Sequence, residues 1–155
     1  MKNSTRFTLT AAATIILTAS GFSQKALKKA DAAFESHQYF SAVTLYKQVY
    51  QSVPKDKKGL VLYRTGVASE EINDYKGAET YYQKAIATGI DDPKVYLRLA
   101  EVLKVQFKYA EAMTEFKNYK AKGGDAKRAD IGVKSCELAQ QWKDNPRSIC
   151  KQNYS

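Results

Sequence analysis

The sequence predicts an all-α chain of stacked helix-turn-helix units, and three observations carry that prediction. The first is an internal repeat: three stretches of the chain superpose when slid along one another. Tyr39, Ala42 and Tyr46 return as Tyr75, Ala78 and Tyr82, and again as Tyr109, Ala112 and Phe116. The second is the chemistry of the flanking columns, with Ala30, Gly66 and Ala100 upstream and Val49, Ala85 and Tyr119 downstream. Small residues at a fixed offset let the two helices of one unit cross closely, and aromatics fill the space between units. The third is punctuation, because Pro54, Gly89, Asp92-Pro93 and Gly123-Gly124 fall where helices of this period have to stop and start.

Taken in order, the first helix is expected from about Gln24 to Ser36, with Leu27, Ala30 and Phe34 on one face at helical spacing. His37-Gln38 makes the turn, and the second helix follows from Tyr39 to Ser52, ended by Pro54. Lys55 to Lys58 is expected as a charged connector, with the next unit beginning near Gly59. That unit places Leu62, Gly66 and Val67 on its first helix, turns at Asn73-Asp74, and runs its second helix from Tyr75 to Thr88. Gly89 suits a left-handed C-cap. Asp92-Pro93 opens the third unit: Asp caps exposed backbone N–H groups, and Pro has no N–H to satisfy at the first helical position. Tyr96, Leu99, Ala100 and Leu103 continue the pattern, and Tyr109 to Lys122 is the sixth helix. One more helix is expected over Asp125 to Lys143, with Asp125 as cap and Ile131, Cys136, Leu138 and Ala139 as its apolar residues.

These residues and spacings resemble the tetratricopeptide repeat (TPR) family over roughly residues 24–122. The resemblance implies a right-handed superhelix of three repeats, about 24–57, 59–92 and 93–124, followed by a capping helix over 125–143 and an irregular tail over 144–155. A capping helix matters because the last repeat of a solenoid otherwise exposes an apolar face. The resemblance also implies that an extended peptide binds the inner groove formed by the first helix of each repeat. The groove lining expected here is Leu27, Asp31, Phe34, Tyr63, Arg64, Glu70, Lys94, Leu97, Arg98, Glu101 and Lys104. Tyr63, Leu97 and Arg98 are expected at its centre, and Lys28, Arg64 and Arg98 share one column, a basic stripe, although Arg98 can instead pair with Glu101 one turn on. In the chaperone-binding branch of the family, five Lys, Asn and Arg side chains grip a C-terminal carboxylate. Lys94 and Arg98 match two of those positions, while Leu27, Asp31 and Arg64 replace the other three.

Catalytic chemistry finds little support. The single histidine, His37, lies in a turn with no nucleophile or orienting acid placed beside it. One His and two Cys give no zinc-ligand spacing, and Gly123-Gly124 follows a helix, unlike a phosphate-cradling loop. No enzyme, metal or cofactor is expected. Cys136 and Cys150 are the two thiols; a bond between them closes a loop of about 15 residues, worth about 3 kcal/mol in the chain-entropy model. The alternative is that Cys136, on the apolar face, is a small buried hydrophobe.

Residues 1–23 have the three-part layout of a secretory signal peptide: basic Lys2 and Arg6, the apolar run Phe7 to Ala19, then Gly21-Phe22-Ser23 before Gln24. The apolar run is shorter than the ~20 residues that span a bilayer. Removal of this segment takes away Lys2 and Arg6 and no acid, so the net charge goes from +9 to +7. Lys scattered among Asp and Glu along most helices reads first as a merely soluble surface; if the balance does mark a partner, an exported chain points to anionic envelope polymers, lipid headgroups or an acidic protein over nucleic acid.

With Ser23-Gln24-Lys25 at the junction, three repeats and a capping helix containing Lys134-Ser135-Cys136, the order of parts is similar to the N-terminal module of large OmpA-family envelope proteins of Bacteroidota, some belonging to gliding and type IX secretion machinery. The expectation is therefore a protein-interaction scaffold in the periplasm or at the outer membrane. Its alternatives are a basic binder of anionic envelope polymer such as peptidoglycan, or an accessory subunit of an envelope enzyme or secretion complex.

Overall fold

Seven α-helices follow one another in the computed structural model, which describes residues 24–145. They are α1 (24–35), α2 (Tyr39–Val49), α3 (Lys55–Glu71), α4 (Tyr75–Ala87), α5 (Lys94–Val105), α6 (Tyr109–Ala121) and α7 (Ala126–Asp144). The helices pair as α1/α2, α3/α4 and α5/α6, and α7 packs on α6. The expected signal segment, the tail beyond 145 and Cys150 lie outside the described residues.

The repeat columns form the core. Ala42, Ala78 and Ala112 are fully buried, as are Tyr46, Tyr82 and Phe116. Each helix crossing is close because the facing residue is small. A Cβ on Gly66 would stand 2.6 Å from the Tyr82 ring, so Gly is required in that column of the middle repeat. The three within-repeat turns share one geometry. His37, Asn73 and Phe107 all adopt positive φ (58°, 61° and 61°), and the next residue's N–H returns to a carbonyl five residues back: Gln38 to Ala33, Asp74 to Ser69 and Lys108 to Leu103. This closes the last turn of each first helix. Gly89 and Gly123, at φ 81° and 86°, end α4 and α6 in the left-handed region.

Two helix boundaries differ clearly from expectation. Lys55 to Lys58 is the first turn of α3 rather than a connector. Pro54, extended at ψ 148°, directs the chain straight into the helix, its carbonyl accepts the Lys57 N–H at 3.0 Å, and Asp56 sits favourably at the positive end of the helix dipole. The second helix also ends early, its last residues Tyr50–Ser52 tightening into a 3₁₀ turn.

The last helix continues the repeat period in a register the sequence did not suggest. Val61, Val95 and Ala129 are buried in one column of that period, as are Ala68, Val102 and Cys136 in another. The buried stripe of α7 is therefore Ala129, Gly132 and Cys136. Ile131 and Leu138, expected inside, are 60% and 40% exposed, and Trp142 is 52% exposed. The face that a further helix would cover in the earlier repeats (Leu62, Gly66 and Ser69) becomes Asp130, Lys134 and Glu137, all exposed. That charged face is what makes α7 a cap. Asp125 caps α7 as expected, accepting the Arg128 N–H at 2.6 Å, and Asp92 caps α5 through the Lys94 N–H at 2.9 Å.

Candidate interaction groove

The residues expected along the groove divide into two parts with different roles. Toward the first repeat, Asp31 on α1 accepts a hydrogen bond from the Tyr46 hydroxyl at 2.7 Å and pairs with the Arg64 guanidinium, also at 2.7 Å. Arg64 lies over the Phe34 ring, 5.5 Å from its centroid, and reaches Glu35 at 3.7 Å. One repeat on, Glu70 accepts the Tyr82 hydroxyl at 2.7 Å and pairs with Arg98 at 3.2 Å. The two arrangements are the same device. A carboxylate on one first helix ties the buried tyrosine of its own repeat to the arginine of the next.

Burial, then the adjoining carboxylate, pushes the Tyr46 and Tyr82 phenols well above the ordinary tyrosine value. Arg64 and Arg98 lose some basicity to burial but end above the usual guanidinium value, because hydroxyls and carboxylates surround them. Within the basic stripe, Arg64 and Arg98 are thus neutralised by carboxylates of the protein itself, while Lys28 is exposed. The alternative pairing of Arg98 with Glu101 is not formed; Glu101 instead takes Lys104 at 2.9 Å.

At the third junction the device is absent. Phe116 replaces the tyrosine and Gly132 stands in the arginine column, where a Cβ would come within 2.5 Å of the Phe116 ring. Lys104 lies above the same ring at 5.9 Å.

A pocket of about 580 Å³ opens beside this junction, lined by Tyr63, Glu70, Lys94, Leu97, Arg98, Glu101, Tyr119 and Arg128. Six of these belong to the expected lining; Leu27, Asp31, Phe34, Arg64 and Lys104 lie outside the pocket. Tyr63 is half-buried against Tyr82, with ring centroids 5.9 Å apart, and burial raises its phenol pKa as well. Leu97 is buried to 8% exposure, so with Arg98 tied to Glu70 the expected central trio forms the pocket's structural wall. Tyr119 and Arg128 were missed. Arg128 falls one repeat period after Lys94, in the same column, but the sequence pattern had assigned α7 to capping alone.

His37 is exposed, its ring edge-on to Tyr39 at 5.6 Å. Cys136 is fully buried, and desolvation raises its thiol pKa. Among the described residues no cluster of His, Cys, Asp or Glu is placed to hold a metal ion, and no helix is long and apolar enough to cross a membrane.

No family model matches the sequence, and no curated protein matches it either. Solved structures do. The TPR2B domain of yeast Sti1, determined as a pHsp70 complex, superposes with a TM-score of 0.64 at 18% identity, covering 75% of this chain and 96% of that one. The Sgt2 TPR domain from Aspergillus fumigatus gives 0.62 at 18% identity, covering 79% and 81%. PilF of Pseudomonas aeruginosa gives 0.60 at 18% identity, covering 85% of this chain and 65% of that one. The likeness is one of fold: the chain is a TPR superhelix of three helix-turn-helix repeats closed by a C-terminal capping helix.

Proposed function

We propose that this chain is a non-enzymatic interaction scaffold that holds a segment of a partner protein in its concave groove. The observation that carries the reading is the pocket of about 580 Å³ between α3, α5 and α7, walled by Tyr63, Leu97 and Tyr119 and fringed by charged side chains. Aromatic walls with a few convergent polar groups suit recognition of a peptide, and Tyr and Arg are enriched where such contacts carry binding energy. The fold likeness adds support, since the Sti1 domain was determined in complex with pHsp70.

The cell envelope is the proposed location, resting on the basic, apolar and small-residue order of residues 1–23. Sequencing the N-terminus of the exported form tests it, with Gln24 expected first; an intact Met1 in the membrane fraction sinks it.

Site-specific photo-crosslinking tests the groove. A photoreactive side chain replacing Lys104, on a first helix, is expected to trap the partner, while one replacing Thr80 or Thr114, exposed on second helices, is not. Adducts from Thr80 and Thr114 alone would place binding on the outer face. The net charge of +7 that remains once residues 1–23 are removed favours a second reading, a binder of anionic envelope polymer. Salt separates the two, because charge-driven binding weakens steeply as ionic strength rises.

A further inference from the structure

We propose that the pocket between α5 and α7 selects an anionic peptide segment whose acidic group is flanked by apolar residues; the proposal rests on the groove reading and specifies its ligand. The first support is charge accounting. Three cations and two carboxylates line the pocket, and both carboxylates are already engaged, Glu70 by Arg98 and Tyr82 and Glu101 by Lys104. Arg98 is satisfied in turn. Lys94 and Arg128 remain, both with exposed side chains that pair with no acid among the described residues. They stand in one column on neighbouring first-type helices, one repeat period apart, and so face the same space. An acidic group entering there meets two cations without displacing an existing ion pair.

The second support is the surface leading away from Arg128. Ile131, Leu138 and Trp142 follow it at helical spacing on one face of α7, each substantially exposed. Ile131 continues the column of Leu27, Tyr63 and Leu97 along the groove, and Leu138 continues that of Phe34, Glu70 and Lys104. Trp142 shares a cleft of about 390 Å³ with Phe107. The groove therefore runs on over α7, changing from cationic to apolar. A peptide with an acid next to aliphatic or aromatic residues matches both parts, whereas a uniform polyanion matches one.

The test pans phage-displayed random dodecapeptides on the purified full chain, then measures synthetic versions of the selected sequences by fluorescence polarisation. Lys94→Gln with Arg128→Gln, and separately Ile131→Ser with Leu138→Ser, are the variants; all four side chains are exposed, and circular dichroism checks that both proteins fold. The expected peptides are enriched in Asp or Glu beside apolar residues, and each double variant binds them about tenfold more weakly. Peptides that bind the groove with no acidic preference overturn this proposal and leave the groove reading standing. Complete competition by polyglutamate at equal concentration also overturns it, in favour of general polyanion binding. Peptides whose binding neither double variant weakens, and which a photoreactive group at Lys104 does not trap, overturn both readings.

Discussion

Single side chains set how closely the helices approach, and two substitutions probe that directly. Gly66→Ala drives a methyl into the fully buried Tyr82 ring and is expected to destabilise by roughly 1–3 kcal/mol in urea unfolding. Ala78→Leu, in the alanine column that is buried in all three repeats, is expected to lose a similar roughly 1–3 kcal/mol. A melting curve indistinguishable from wild type in either case would contradict the packing described. Phe107 is the opposite case. It holds φ 61° with its side chain largely in solvent, where a bulky residue is strained and Asn is tolerated. Phe107→Asn should therefore raise stability by about 0.5–1 kcal/mol, read from the same urea curves. The turns at His37 and Asn73 were legible in the sequence, Asn73 because its chemistry suits a left-handed residue. Phe107 carries no such signal, and only its place one repeat period after Asn73 marks it.

Between helices, the Tyr–carboxylate–Arg ties at the first two junctions make stability sensitive to alkali. An unfolded tyrosine ionises near 10.0, whereas Tyr46 and Tyr82 resist ionisation in the folded protein, burial first and their carboxylate neighbours second. Above the ordinary value the unfolded chain releases protons that the folded one retains, so their contribution is complete below that pH and fades as pH rises beyond it. Unfolding free energy is expected to fall from about pH 10 upward, and Tyr82→Phe should flatten that fall while weakening the protein at neutral pH. An equal slope in the variant would remove Tyr82 as the cause. The helices themselves were largely readable because apolar period and capping residues agree along the chain. The ties were not readable, because their carboxylates occupy different columns: Asp31 aligns with Val67, and Glu70 aligns with Phe34. No repeat alignment brings them together. The pocket was half legible for a related reason. Its residues on α3 and α5 follow the repeat, but Arg128 became visible only once α7 proved to keep the register of the repeats before it.

Across the whole molecule, a linear array distributes its stability over successive junctions rather than in one centre. The first two junctions are fastened by directional hydrogen bonds to charged groups at 2.7–3.2 Å. The third has Phe116 against Gly132, and its ion pair, Lys120 to Asp130 at 2.8 Å, sits in solvent where it contributes little. Directional bonds resist sliding and twisting; apolar contact resists separation but tolerates small shear. The array is thus fastened in two ways, by directional bonds where α1 meets α3 and α3 meets α5, and by apolar contact where α7 rests on α6. Cys136, buried in that apolar joint, is a built-in reporter of its opening. In a Cys150→Ser background its thiol is expected to react with a disulfide reagent through a sub-global event, faster than complete unfolding allows and slower than an exposed thiol. Reaction at the rate of global unfolding would mean that α7 leaves only with everything else. If the thiol reacts sub-globally, the wall carrying Arg128 and Ile131 is the movable one, and the groove adjusts its width at its cap while the repeats behind it hold their spacing.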